Sequence, residues 1–250
     1  MVEHICFFST VIINGLAGST TFLGGVNTAE ISDANLTLIT PAGYVFSIWG
    51  IIYILLAMFV VFQALPSQKE KDYTEKIGWL FILSSVINIV WIFLWQYQIL
   101  SASVILIFLL LTTLIAIYLR LNIGKSTVSL REKLAAHVPF SVYLGWITIA
   151  SIANVAVFLV SENWDSFGIS AETWATLIII VALVITLIVI ATRRDIAYSL
   201  VIVWALIGIA VKQSGNQNIV TLTEASAIIV LLALAAVLLL GRLKSGHNNE

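Results

Sequence analysis

Residues 143–154 read Tyr-Leu-Gly-Trp-Ile-Thr-Ile-Ala-Ser-Ile-Ala-Asn, inside an apolar run that extends from 134 to 160. Such a run is long enough to cross a bilayer core, which takes about 20 residues at about 1.5 Å of helical rise each. Steps of three, four and four then place Tyr143, Trp146, Ala150 and Asn154 on one face of the helix. In hydrocarbon an indole N–H or a side-chain amide is costly unless it is paired across helices or faces a cavity. That face is therefore either a seam between helices or the wall of a site.

Two other apolar runs carry stripes of the same kind. Ser84, Asn88, Trp91 and Trp95 recur at steps of four, three and four, and Phe46, Trp49 and Tyr53 at steps of three and four. Two readings stand side by side. Either the asparagines bond to neighbouring helices while the tryptophans pack or anchor at the interface, or the three stripes line one pocket. Asn14, Gly18 and Thr21 form a small, polar stripe suited to close helix packing. Trp204, with no polar neighbour except Gly208, reads as packing, and His137 reads as a boundary residue satisfied by water.

Composition places these stripes in a membrane. Of 250 residues, 60% are hydrophobic and 10% charged, whereas a soluble domain carries roughly 25% charged residues. Scanning at bilayer length predicts an all-α polytopic bundle of eight transmembrane helices, at residues 5–25, 44–65, 78–97, 99–119, 134–160, 174–192, 196–211 and 225–243. In that arrangement eleven of the 12 Lys and Arg residues, all but Lys212, fall on one side. The positive-inside rule makes both termini cytoplasmic, in a multi-pass protein of the cell (inner) membrane. The 26–43 segment carries Glu30, Asp33 and Pro41 and no basic residue; it is either a lid over the bundle or a plain surface loop. Polar and aromatic residues within the spans concentrate in the first five helices, which divides the chain into a core at 1–160 and a three-helix extension with a short tail at 161–250.

Several function classes lose support. A net charge of −1 gives no case for nucleic acid, and the lone Cys6 with scattered histidines makes no metal site. No ionisable residue falls clearly within the middle of a span, which disfavours ion-coupled transport. No catalytic acid–base or nucleophile constellation is present. What remains is a binding protein for a flat hydrophobic molecule in the bilayer or a facilitative carrier of small lipophilic molecules.

The strings Pro41-Ala42-Gly43-Tyr44-Val45-Phe46-Ser47-Ile48-Trp49 with Tyr53, Asn88 with Trp91, and Tyr143-Leu144-Gly145-Trp146 with Ala150 and Asn154 resemble the tryptophan-rich sensory protein or translocator protein (TspO/MBR) family. The likeness runs over residues 1–160 and is closest to a longer subgroup with extra helices. It implies a five-helix bundle, often dimeric, that needs no cofactor and takes a tetrapyrrole such as porphyrin or haem as ligand beneath the first loop. On that likeness the ligand-binding residues are Phe46, Trp49, Tyr53, Asn88, Trp91, Trp95, Tyr143, Trp146, Ala150 and Asn154. The resemblance also implies light-dependent porphyrin breakdown as an alternative activity. The chain departs from the family in a first loop with one proline and no tryptophan, in the Phe46-to-Trp49 interval of three rather than four, and in the final three helices at about residues 173 to 243, which have no counterpart in its five-helix members.

Overall fold

The computed structural model describes residues 2–71 and 73–247, and all the regular structure among them is helical. The elements are α1 (Val2–Ser19), α2 (Thr28–Ala34), α3 (Ile48–Ala64), α4 (Trp79–Gln96), α5 (Leu100–Arg120), α6 (Leu130–Glu132), α7 (Val138–Ser161), α8 (Ala171–Arg193), α9 (Ile196–Lys212) and α10 (Gln217–His247). A 3₁₀ turn at Gly43–Ser47 leads into α3, and π-helical turns at Thr74–Gly78 and Lys133–His137 lead into α4 and α7. The second π turn lies just ahead of Pro139, whose missing N–H and bulky ring disturb the regular ladder one turn back. Beside these turns the Tyr73 hydroxyl donates to Glu132 Oε1 at 2.8 Å. Burial, with that carboxylate next to it, pushes the phenol above its ordinary range.

Six helical stretches are long and apolar enough to cross a membrane: Gly43–Ala64, Glu75–Gln96, Leu100–Arg120, Leu130–Ser161, Ala171–Arg193 and Gln217–Leu240. α9 is a shorter apolar helix of 17 residues, and α1 has 18. The first helix ends at Ser19 rather than at 25, and beyond it Gly24 and Gly25 adopt φ of 71° and 79°, a left-handed turn that glycine enters without strain. A Cβ on Gly24 would overlap the Gln96 carbonyl. The Gln96 side-chain amide occupies the turn, donating to the carbonyls of Ala17, Leu23 and Val26 at 3.3, 3.2 and 2.9 Å. The last helix begins earlier than expected, at Gln217.

α1 packs on α3 and α4, α4 on α5, and α5 and α3 on α7. α9 lies against the other side of α7, while α8 and α10 pack on α9 and on each other. Gly145 explains how α9 comes so close: a Cβ there would sit 3.0 Å from the Tyr198 carbonyl oxygen and 3.1 Å from Val201 Cβ. A methyl group at this position would hold α9 off.

Each end of α9 is tied down. At its start Asp195 caps the helix by accepting from the Tyr198 N–H at 3.1 Å, and its other oxygen accepts from Tyr118 of α5 at 2.9 Å and Ser141 of α7 at 2.6 Å. At its far end Gly208 O accepts from the Ala42 N–H at 3.0 Å, and Gln213 Nε2 donates to Thr37 O at 2.9 Å. Lys212 pairs with Asp33 of the first loop at 2.8 Å. Trp204 does more than pack, since its indole donates to Val45 O at 3.2 Å and its ring meets Tyr44 at 5.2 Å. Sequence separation hid this bond, because its acceptor is a backbone carbonyl 159 residues away.

The 26–43 segment is accordingly a lid and not a free loop. Its helix α2 begins with a capping box in which the Asn27 side chain accepts from the Ala29 and Glu30 N–H groups and Glu30 accepts from the Asn27 N–H. Thr28, Ile31 and Ser32 are buried beneath it.

Asp195→Ala removes a helix cap and two charge-assisted hydrogen bonds, so it should destabilise the detergent-solubilised protein by about 2–4 kcal/mol. Thermal unfolding measures this, and an unchanged midpoint would show that α9 docks without the carboxylate.

Candidate functional site

The stripes on α3, α4 and α7 converge under the first loop. Trp49 stands at the centre, with ring centroids 5.7 Å from Tyr53, 5.8 Å from Trp91, and 6.1 Å from both Tyr143 and Trp146. Phe46 meets Trp146 edge-on at 5.8 Å, and Trp91 stacks on Trp95 at 6.0 Å. These separations fall in the range where aromatic pairs attract beyond their burial. The 3₁₀ turn at Gly43–Ser47 bears on the shortened Phe46-to-Trp49 interval, because a three-residue period brings i and i+3 to one side. Phe46 and Trp49 thereby reach the same space.

The asparagines are committed to the bundle. Asn88, fully buried, accepts from Asn14 Nδ2 of α1 at 2.7 Å and donates to the Tyr143 hydroxyl of α7 at 3.0 Å. Asn154 accepts from the Trp91 indole at 2.9 Å and donates to Ser103 of α5 at 2.9 Å. The Trp95 indole donates to the Thr28 carbonyl of the lid at 3.3 Å. Both amides thus follow the helix-pairing reading, and their bonds do not point toward a ligand. Asn14 and Ser103 complete these pairs. The α1 stripe had already singled out Asn14, as a packing residue, while nothing about Ser103 distinguishes it from other serines.

Two donors in the cluster have no such partner. Trp146 Nε1 and Tyr53 Oη are buried without a hydrogen-bond partner among the described residues. Leaving such groups unpaired costs about 1–3 kcal/mol each. Two of them flanking one tryptophan are hard to explain as packing alone. His137 is also buried, at 6% exposure, instead of lying at a wetted boundary.

Two spaces meet at this cluster. One, of about 30 Å³, is bounded by Trp49, Trp91, Trp95, Trp146, Ala150 and Asn154 and holds no more than a water-sized group. The other, of about 360 Å³, lies between α1, α2 and α3 against Asn14, Gly18, Thr28, Trp49, Gly50 and Tyr53. Thr28, Phe46 and Trp49 border both, so these three residues lie between the two spaces. The larger space is of ligand size and mixes an aromatic wall with a few polar groups.

With this geometry in view, comparison with known proteins settles the class. The chain matches the TSPO-like protein family over residues 1–238 and belongs to it. The match includes α8, α9 and α10 as far as residue 238, so the extension is part of the family pattern that this chain follows. No curated protein and no solved structure matches the chain.

Tyr53→Phe deletes an unpaired buried hydroxyl and keeps the ring, so it should stabilise the ligand-free protein by about 1 kcal/mol. Asn88→Ala should have the opposite sign, because it strands Asn14 and Tyr143 at about 1–3 kcal/mol each. Thermal unfolding of both variants beside the parent gives the comparison; a destabilised Tyr53→Phe would mean that the hydroxyl has a partner after all.

Proposed function

We propose that this multi-pass membrane protein binds a flat hydrophobic ligand beneath its first loop and acts as a receptor or sensor for it, with tetrapyrroles such as protoporphyrin and haem as the class to test first. The observation that carries this reading is the pair of unpaired donors, Trp146 Nε1 and Tyr53 Oη, on either side of Trp49, with Tyr53 lining the ligand-sized cavity of about 360 Å³ and Trp146 the small space of about 30 Å³. A planar molecule in the α1–α3 space would stack on Trp49 and take an acceptor to Tyr53. Rotation of Trp49 would join the small space to the large one and bring the edge of the ligand within reach of Trp146. Asn88, Trp91 and Asn154 serve this site by holding the helices that form it.

In the proposed topology both termini are cytoplasmic, α1 and α9 span together with the six longer helices, and the lid faces the opposite side. The paired Lys212 and Asp33 then lie on the lid side, which accounts for the one basic residue outside the cytoplasmic set.

Absorbance and tryptophan-fluorescence titration with protoporphyrin, haem and a sterol tests the reading. A saturable change with a tetrapyrrole is expected, weakened about three- to tenfold by Tyr53→Phe, the loss of one hydrogen bond of about 0.5–1.5 kcal/mol. No saturable change with any of the three, or identical affinity in Tyr53→Phe, contradicts it. Flux into proteoliposomes that scales with internal volume would favour a carrier over a binder.

A further inference from the structure

We propose that the crevice between α7 and α8 is a binding site for the acyl tail of a membrane lipid from the leaflet on the lid side. This site is separate from the aromatic cluster and rests on different observations.

The crevice exists because α8 packs on α9 and α10 and is carried alongside α7 by α9. Between the two helices lies about 430 Å³ of space, walled by Ile152, Ala156 and Leu159 of α7 and by Ala175 and Ile178 of α8. Alanines on the facing surfaces supply its depth. Leu38 and Ile39 of the lid close it from above, and Gln213 holds that part of the lid through Thr37 O at 2.9 Å. The mouth is apolar as well, since Phe108 and Val160 border it with 45% and 43% of their surfaces exposed.

The surroundings decide the occupant. A buried water needs two to four polar partners, and the hydroxyls around this space are those of Thr37 and Ser166, both near the lid end. The body of the crevice is hydrocarbon-lined and opens beside helices that face hydrocarbon, so the medium that fills it is a chain of methylenes. At the lid end stand Trp164 and Trp174, with ring centroids 5.3 Å apart and the Trp174 indole donating to Ser166 O at 2.9 Å. Interfacial tryptophans mark the depth at which the polar part of a lipid sits. A tail in the crevice thus extends inward from Ser166 toward Ile152 and Ile178, and its ester region lies by the indoles.

Ile39, Ile152 and Ile178 also border a gap of about 30 Å³ deeper in the protein, whose other walls include Ile149 and Ala153. Those two residues line the small space beside Trp146. An occupied crevice therefore supports α7 from behind the face that carries Trp146 and Asn154.

The test uses the delipidated full-length protein in detergent, titrated with phosphatidylcholine brominated on its acyl chain. Tryptophan quenching should saturate at one lipid per chain, be reversed by unbrominated phosphatidylcholine, and require about tenfold more lipid in Ala156→Leu plus Ala175→Leu, which fills the crevice. Quenching that rises without saturation, unchanged affinity in the filled variant, or displacement by a sterol but not by unbrominated phosphatidylcholine overturns the proposal. Should the filled variant fail to fold, native mass spectrometry of the parent decides. One retained phospholipid per chain supports the site, and a bare chain or a spread of loosely held lipids refutes it.

Discussion

Asn88 is fully buried, and in hydrocarbon its amide has no water to turn to. Its oxygen takes the Asn14 N–H of α1 and its nitrogen reaches Tyr143 of α7, so one side chain on α4 sets the rotation and height of three helices. Sliding any of them by a residue would strand two or three polar groups at once. With that register set, Trp91, three residues on, meets Asn154, which in turn bonds Ser103 of α5. Trp95, four residues further, reaches the Thr28 carbonyl and locates the lid. The aromatic cluster is a consequence of this chain of pairings, since it brings the stripes of α4 and α7 against that of α3.

Against so complete a set of pairings, the two unpaired donors stand out. Asn14, Asn88, Asn154 and the indoles of Trp91 and Trp95 all have partners, whereas Trp146 Nε1 and Tyr53 Oη, both beside Trp49, have none among the described residues. A core selected for stability alone would put phenylalanine at 53, which keeps the ring and avoids the cost. Retaining the hydroxyl fits a site that gives up some stability in the free state to recognise an acceptor.

Much of this was legible in the residues. Helical spacing placed Asn88, Trp91 and Trp95 on one face and Tyr143, Trp146, Ala150 and Asn154 on another, and the structure turns those faces toward each other. Spacing along one helix says nothing about which residue waits on the next, so Ser103 and the Thr28 carbonyl were not visible, and Asn14 showed only as part of a packing stripe. It also could not decide between an amide that bonds a helix and one that bonds a ligand. The end of α1 was misplaced because Ser19 to Gly25 is as uncharged as a helix interior, while the turn depends on two left-handed glycines and on Gln96, far along the chain. The need for glycine at 145 comes from the backbone of α9, which spacing within α7 does not reveal.

The extension is thus bound to the site through the lid. Asp195 anchors α9 to α5 and α7 at one end, and Trp204, Gly208, Lys212 and Gln213 hold residues 33–45 at the other. The central claim is that Trp146 keeps an unpaired indole N–H while Trp91 does not. The most direct measurement is the indole proton and nitrogen chemical shift of each residue, assigned by single Trp→Phe variants in isotope-labelled protein. The account predicts a Trp146 proton upfield of that of Trp91 in the ligand-free protein, moving downfield when protoporphyrin is added. A Trp146 resonance with the hydrogen-bonded shift of Trp91 before ligand is added would contradict it.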